Sequence, residues 1–268
     1  MTSSIIKHLI HCFFLLSVVG FTLKSVVIVQ SGLSVYWHEY TNSFSFILSM
    51  IRFTVFLPLP SFICNFLGLC FYNTFPEKVV LKKNILLAPS ICFRVVTRGN
   101  FPALVKENAV RNINTCFNVG LKNFVVEVVT DKLIDMPKQQ NIREIVVPEE
   151  YRSKTNALFK ARALQYCLEE NVNLLNPNDW IVHLDEETIL SNNCVRGIIN
   201  FVMEGKHFFG QGLIIYAHEK GQNLMTTLFD SFRVGSDLGA IRFSLKALNK
   251  PIMSWKGSFI VANVRKIK

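Results

Sequence analysis

The chain has 268 residues, 50% of them hydrophobic, with 29 basic against 19 acidic side chains, and its mean hydropathy is +0.31. That apolarity excludes an ordinary soluble enzyme along the whole length, and the charge in the later part excludes a pure membrane bundle. The basic excess suits phosphate-bearing ligands and an anionic leaflet rather than nucleic acid, because no basic run with interleaved aromatics occurs.

Residues 1–75 carry only Lys7, Lys24, Arg52 and Glu39 as formal charges. Between Lys7 and Lys24, residues 8–23 are uncharged, a little short of the ~20 that cross a bilayer. A cleaved signal peptide competes with that reading, but no alanine precedes Ala88, so an Ala-x-Ala cleavage pattern is lacking. Residues 53–72 form a second uncharged run, whose Pro58 and Pro60 a membrane helix tolerates. Residues 1–75 are therefore expected to be a membrane hairpin of two transmembrane helices. Lys7 then shares a side with Lys78, Lys82 and Lys83, and the positive-inside rule puts the globular part, residues 76–268, in the cytosol. No Asn-x-Ser/Thr sequon occurs, which agrees with that orientation. The expected location is a multi-pass protein of endoplasmic reticulum or Golgi. The seven cysteines lack metal-ligand spacing and read as buried free thiols in a reducing compartment.

From residue 91 onward, β-branched runs alternate with helical stretches. The expected order is strand 91–97, helix 101–119, strand 124–130, strand 144–147, helix 154–170, strand 180–184, helix 192–204, strand 212–217, helix 225–248 and strand 258–264. Asn100 and Pro102 serve as start signals for the first of these helices and Gly120 as its stop. Such alternation gives an α/β, doubly wound, mostly parallel sheet with helices on both faces.

In that architecture ligands bind beyond the carboxyl ends of the strands. Three polar groups stand there: Thr97-Arg98-Gly99, Thr130-Asp131-Lys132 and Asp185-Glu186-Glu187. Three adjacent carboxylates repel one another unless a divalent cation neutralises them, and hard oxygen ligands suit Mg²⁺ or Mn²⁺. Strand alternation puts His183, Asp185 and Glu187 on one face and turns Glu186 away, so Asp185 and Glu187 are the candidate metal ligands. A solvated acidic loop opening a helix is the competing account. His183 is either a third ligand or a histidine packed in the strand. Asp131 can accept hydrogen bonds from a nucleoside or serve ordinary turn chemistry, and Arg98 can meet donor phosphates or a surface carboxylate. Lys154, Lys160 and Arg162 share one expected helix and are read as a solvated face, with Lys154 at its start best placed to reach a phosphate.

Four segments, ICFRVVTRG at 91–99, FVVEVVTDK at 124–132, ALFKARALQYCLE at 157–169 and WIVHLDEET at 180–188, resemble the egghead-type β-1,4-mannosyltransferases of glycosyltransferase family two. The likeness runs from about Lys7 to Val264, and includes Gly210-Gln211-Gly212. It implies a glycosyltransferase-A fold, GDP-mannose as donor and a glucosylceramide-type glycolipid as acceptor in glycosphingolipid biosynthesis. Thr97, Arg98, Asp131, Lys154 and Asp185 are the donor-binding candidates; the resemblance puts Asp131 at the nucleoside and Asp185 with Glu187 at the DxD-like metal position. The same family keeps its general base in an acidic pair beyond Trp255-Lys256-Gly257-Ser258 and a QxxRW helix further on, so the expectation is that these residues alone bind donor and transfer sugar poorly. A non-catalytic nucleotide-sugar or partner-binding membrane protein, and a UDP-glucose-dependent ceramide glucosyltransferase-like enzyme, are the competing readings.

Overall fold

The computed structural model describes residues 2–33, 47, 51, 54, 57–73, 76, 78–215, 223–252 and 255–266. The chain divides into two compact units, one of residues Met1–Phe75 with Leu213–Trp255 and the other of Pro76–Gly212 with Lys256–Lys268.

In the first unit, α1 (Thr2–Leu33) contains one stretch, His8–Ser25, that is long and apolar enough to cross a membrane and has none of its residues buried. The second apolar helix, α2 (Leu59–Phe71), is shorter than the expected 53–72 run; residues 53, 55 and 56 of that run lie outside the described residues. Pro58 and Pro60 flank its start, where a missing N–H costs nothing. The expected helix 225–248 belongs to this unit and is three pieces: α6 (Leu224–Ser236), a π-helical turn (Asp237–Ile241) and α7 (Arg242–Ala247).

The second unit is a six-stranded mixed sheet in the order β3-β2-β1-β4-β6-β5. Its strands are β1 (Ile91–Thr97), β2 (Phe124–Thr130), β3 (Ile142–Val146), β4 (Trp180–Asp185), β5 (Phe209–Gln211) and β6 (Ile260–Asn263). The first four pair in parallel, and β6 runs antiparallel to both β4 and β5. Its helices are α3 (Pro102–Val119), α4 (Phe159–Tyr166) and α5 (Asn192–Glu204). Gly120 and Gly205 close α3 and α5 in the left-handed conformation, and Ser191 caps α5 by accepting from the Cys194 amide.

Alternation along the strands gives the two sheet faces different chemistry. Ile91, Phe93, Val95, Val126, Val128, Val182 and Leu184 pack with Val105, Ala109 and Ile113 of α3 and Val195, Ile198 and Ile199 of α5 in one apolar core. The opposite face carries Arg94, Glu127 and His183 between Cys92, Val129 and Ile181, next to Ala163 and Cys167. Register aligns Arg143, Glu127, Arg94 and His183 as one row across four strands. Glu127, 1% exposed, accepts from Arg94 Nε at 2.8 Å and Nη2 at 2.7 Å, from Arg143 Nη1 at 3.0 Å and from the Cys92 thiol at 3.2 Å. A buried charge is tolerable only when paired and hydrogen-bonded in this way.

In this unit β3 begins two residues ahead of the expected 144–147, and two further elements differ more. Helix 154–170 is only α4, because Asn156 and Phe159 both take positive φ (53°) and Ser153 ties the intervening turn by accepting from the Ala157 amide. The edge strand lies at Phe209–Gln211, ahead of the expected 212–217, of which residues 216 and 217 fall outside the described residues.

Candidate functional site

The strand ends build the site. β1, β2 and β4 run parallel in register, with Thr97 beside Thr130 and Val96 beside Asp185, so the residues that follow them emerge together at one edge of the sheet. There Thr97, Arg98, Asn100, Asp131, Phe159, Lys160, Asp185, Glu186 and Glu187 line a cavity of about 310 Å³, at the small end of ligand sites. Four of the expected donor-binding residues, Thr97, Arg98, Asp131 and Asp185, line it, and so does Glu187. Lys154 does not; it is exposed in the turn before α4.

Besides Arg98, the cations of the site are Lys160 and Arg162 of α4, expected from sequence to be a solvated face. Lys160 Nζ donates to Asp185 Oδ1 and, at 3.0 Å, to the Gly257 carbonyl. Arg162 Nη2 donates to Asp131 Oδ1 at 2.7 Å, while its Nη1 reaches the Pro148 and Tyr151 carbonyls at 3.1 and 3.3 Å. Two residues apart on one helix, these side chains hold the two acidic candidates. The sole signal in sequence was basic residues on the helix packed over that sheet face.

Arg98 lies over the Phe159 ring at 4.6 Å, a cation–π contact. Phe159 is 64% exposed and holds φ 53°, a costly conformation for an aromatic residue. Gly99, φ 75°, is required by the turn after β1: a Cβ there would stand 2.8 Å from Thr130 Oγ1.

The acidic triplet departs from strand geometry. β4 ends at Asp185 and the chain turns, so Glu186 is not directed away from the cavity as alternation implies; its carboxylate accepts from Thr97 Oγ1. Glu187 is exposed. Three further residues fix this loop, none of them apparent from sequence. Buried Asn108 and Asn112 of α3 donate to the carbonyls of Glu186 (2.9 Å) and Thr188 (3.0 Å), and Ser258 Oγ accepts from the Asp185 amide at 3.1 Å.

His183 is a packed strand residue: its Nδ1 is buried without a hydrogen-bond partner among the described residues. Burial, reinforced by the charges of Arg94 and Lys160, lowers its pKa to about 4. All seven cysteines are free, and burial pushes the Cys116 thiol up to about 12 and the Cys167 thiol up to about 11.

Among the described residues no three His, Cys, Asp or Glu side chains converge as a metal cage. Two of the expected ligands, Asp185 and Glu187, line the cavity; Mg²⁺-like ions use one or two protein carboxylates and complete their shell with phosphate oxygens and water.

A family model described as glycosyl transferase family group 2 matches residues 180–267. The β-1,4-mannosyltransferase egh of Drosophila melanogaster is 56% identical over 267 residues, 98% of this chain and 58% of that protein. The β-1,4-mannosyltransferases bre-3 of Caenorhabditis briggsae and Caenorhabditis elegans are 50% and 56% identical, over 97% and 81% of this chain and 58% and 48% of their own lengths. The chain thus spans roughly half the length of these curated relatives. No solved structure matches it.

Proposed function

Because the chain is a homologue of β-1,4-mannosyltransferases and carries a family group 2 match, we propose that it serves mannosyl transfer from GDP-mannose to a glucosylceramide-type glycolipid. The mixed, mostly parallel sheet fits a glycosyltransferase-A fold. The observation that carries the reading is the single cavity that joins Asp131, Lys160 and Asp185 at the carboxyl ends of β1, β2 and β4.

Asp131, held through one carboxylate oxygen by Arg162, keeps the other for the nucleoside, and a carboxylate is the natural acceptor for the adjacent N–H donors of guanine. Lys160 is poised between Asp185 and the donor diphosphate, to which its ammonium can turn when phosphate oxygens enter. Arg98 and Phe159 form the lip that orients the donor. Asp185 and Glu187 would hold Mn²⁺ or Mg²⁺, whose charge stabilises the departing nucleoside diphosphate. Asn108, Asn112 and Ser258 fix the loop bearing these carboxylates, so its geometry is set before the donor arrives. We assign no general base within residues 1–268.

The apolar stretch of α1 supports membrane anchoring. In our reading α2 completes a hairpin and the sheet unit faces the cytosol, close to the membrane-borne acceptor.

Calorimetry tests the site. Asp185→Asn should abolish Mn²⁺-dependent GDP binding, and unchanged binding overturns the assignment. A competition of GDP-mannose against UDP-glucose separates the mannosyl from the glucosyl reading, since the stronger displacement of bound GDP identifies the donor.

A further inference from the structure

The first unit contains a helix whose apolar side no described residue buries. Leu224, Met225, Leu228, Phe229 and Phe232 of α6 are 56–75% exposed, and no α6 residue is buried. At 100° per residue these five fall within an arc of about 140°. The other side carries Thr226, Thr227, Asp230, Ser231 and Arg233, whose hydroxyls bond within the helix and whose charges pair with each other.

We propose that α6 lies in the lipid–water interface of the membrane, with the phospholipid surface as its partner. The occupant follows from what α6 is attached to. The π turn at its end packs on α2 so closely that a Cβ on Gly68 would stand 2.0 Å from the Gly239 carbonyl oxygen. Asn65 of α2 accepts from the Ala240 amide at 3.2 Å, which fastens the turn to the helix. One helical turn beyond Gly68 comes Tyr72, and its ring is flanked by Arg242 at 5.2 Å and Lys246 at 4.9 Å. An apolar helix ending in a tyrosine between two cations is the chemistry of a bilayer interface, where amphipathic rings sit at headgroup depth and basic groups meet lipid phosphates. The turn that launches α6 is therefore anchored within one helical turn of that level. A helix there with one broad apolar side and one polar side lies in the interface rather than across the membrane. The same unit contains α1, whose His8–Ser25 stretch is apolar with none of its residues buried.

The inference rests on the membrane reading of α1 and α2, and the experiment separates the two. The full chain is reconstituted in nanodiscs containing phosphatidylcholine brominated on its acyl chains, with one added tryptophan per variant and the unsubstituted chain as background. Phe14→Trp on α1 reports whether the unit is in lipid at all. Phe229→Trp and Phe232→Trp should be quenched by brominated lipid several-fold more than Thr227→Trp and Ser231→Trp, which should instead respond to aqueous iodide. Quenching at Phe14 with none at positions 229 and 232 overturns the placement of α6, whether iodide reaches those positions or a second copy shields them from both quenchers. No quenching at Phe14 overturns the membrane reading itself.

Discussion

Removing Glu127 tests whether the charged row under the site is one interdependent unit. Glu127→Leu leaves the Arg94 guanidinium, whose side chain is 2% exposed, with its carboxylate partner gone, whereas Arg143 at 26% can still turn to water. Breaking a buried pair from one side costs about 3–5 kcal/mol, a large share of the ~5–15 kcal/mol that holds a domain together. For a unit of this size that is a fall in melting temperature on the order of 10 °C. Trp180, buried at the start of β4, reports unfolding of the sheet by its fluorescence. The double variant Arg94→Met with Glu127→Leu removes both charges and should recover most of the loss, since an apolar replacement of similar volume spares both desolvation costs. If Glu127→Leu lowers stability by less than about 1 kcal/mol, or the double variant loses as much as the two single variants together, the pairing is not what holds the row.

Lys160→Met should weaken GDP binding by calorimetry about tenfold, the worth of one charge-assisted bond, while leaving the melting temperature almost unchanged, because its pair with Asp185 is one-third exposed on each side. The Cys116 and Cys167 thiols, raised to about 12 and about 11 by burial, should resist iodoacetamide at pH 8 in the folded chain and react on unfolding, as read by mass spectrometry. His183 is held neutral in the fold, with its pKa lowered from 6.5 to about 4. As pH falls below about 6.5 the unfolded state takes the proton first, so stability contributed by the neutral ring is lost between about pH 6.5 and 4, up to ~3 kcal/mol. Melting temperatures across that window should fall for the native chain and fall less for His183→Gln.

The strands β1 and β2 and the helix α5 coincide with what residue pattern alone indicates, 91–97, 124–130 and 192–204. Continuous β-branched runs buried on both faces, and local caps such as Ser191, Gly120 and Gly205, carry their message within a few residues. The acidic triplet and Asp131 were legible for the same reason, each standing directly after such a run. Where local chemistry conflicts with the period, the pattern misleads. The left-handed Asn156 and Phe159 shorten α4, and the π turn splits residues 224–247, where the close approach of Gly239 to Gly68 outweighs regular helix.

What sequence by itself determined, then, is the α/β character, the apolar start of the chain and the carboxylates at the strand ends, since all three follow from neighbours along the chain. Tertiary structure alone decided the rest. Strand order β3-β2-β1-β4 aligns Arg143, Glu127, Arg94 and His183 into one row, the packing of α4 brings Lys160 and Arg162 onto Asp185 and Asp131, and residues 213–255 join the unit of residues 1–75. Each is a contact between residues far apart in the chain, whose pairing depends on which strand lies beside which and so leaves no periodic trace in the sequence.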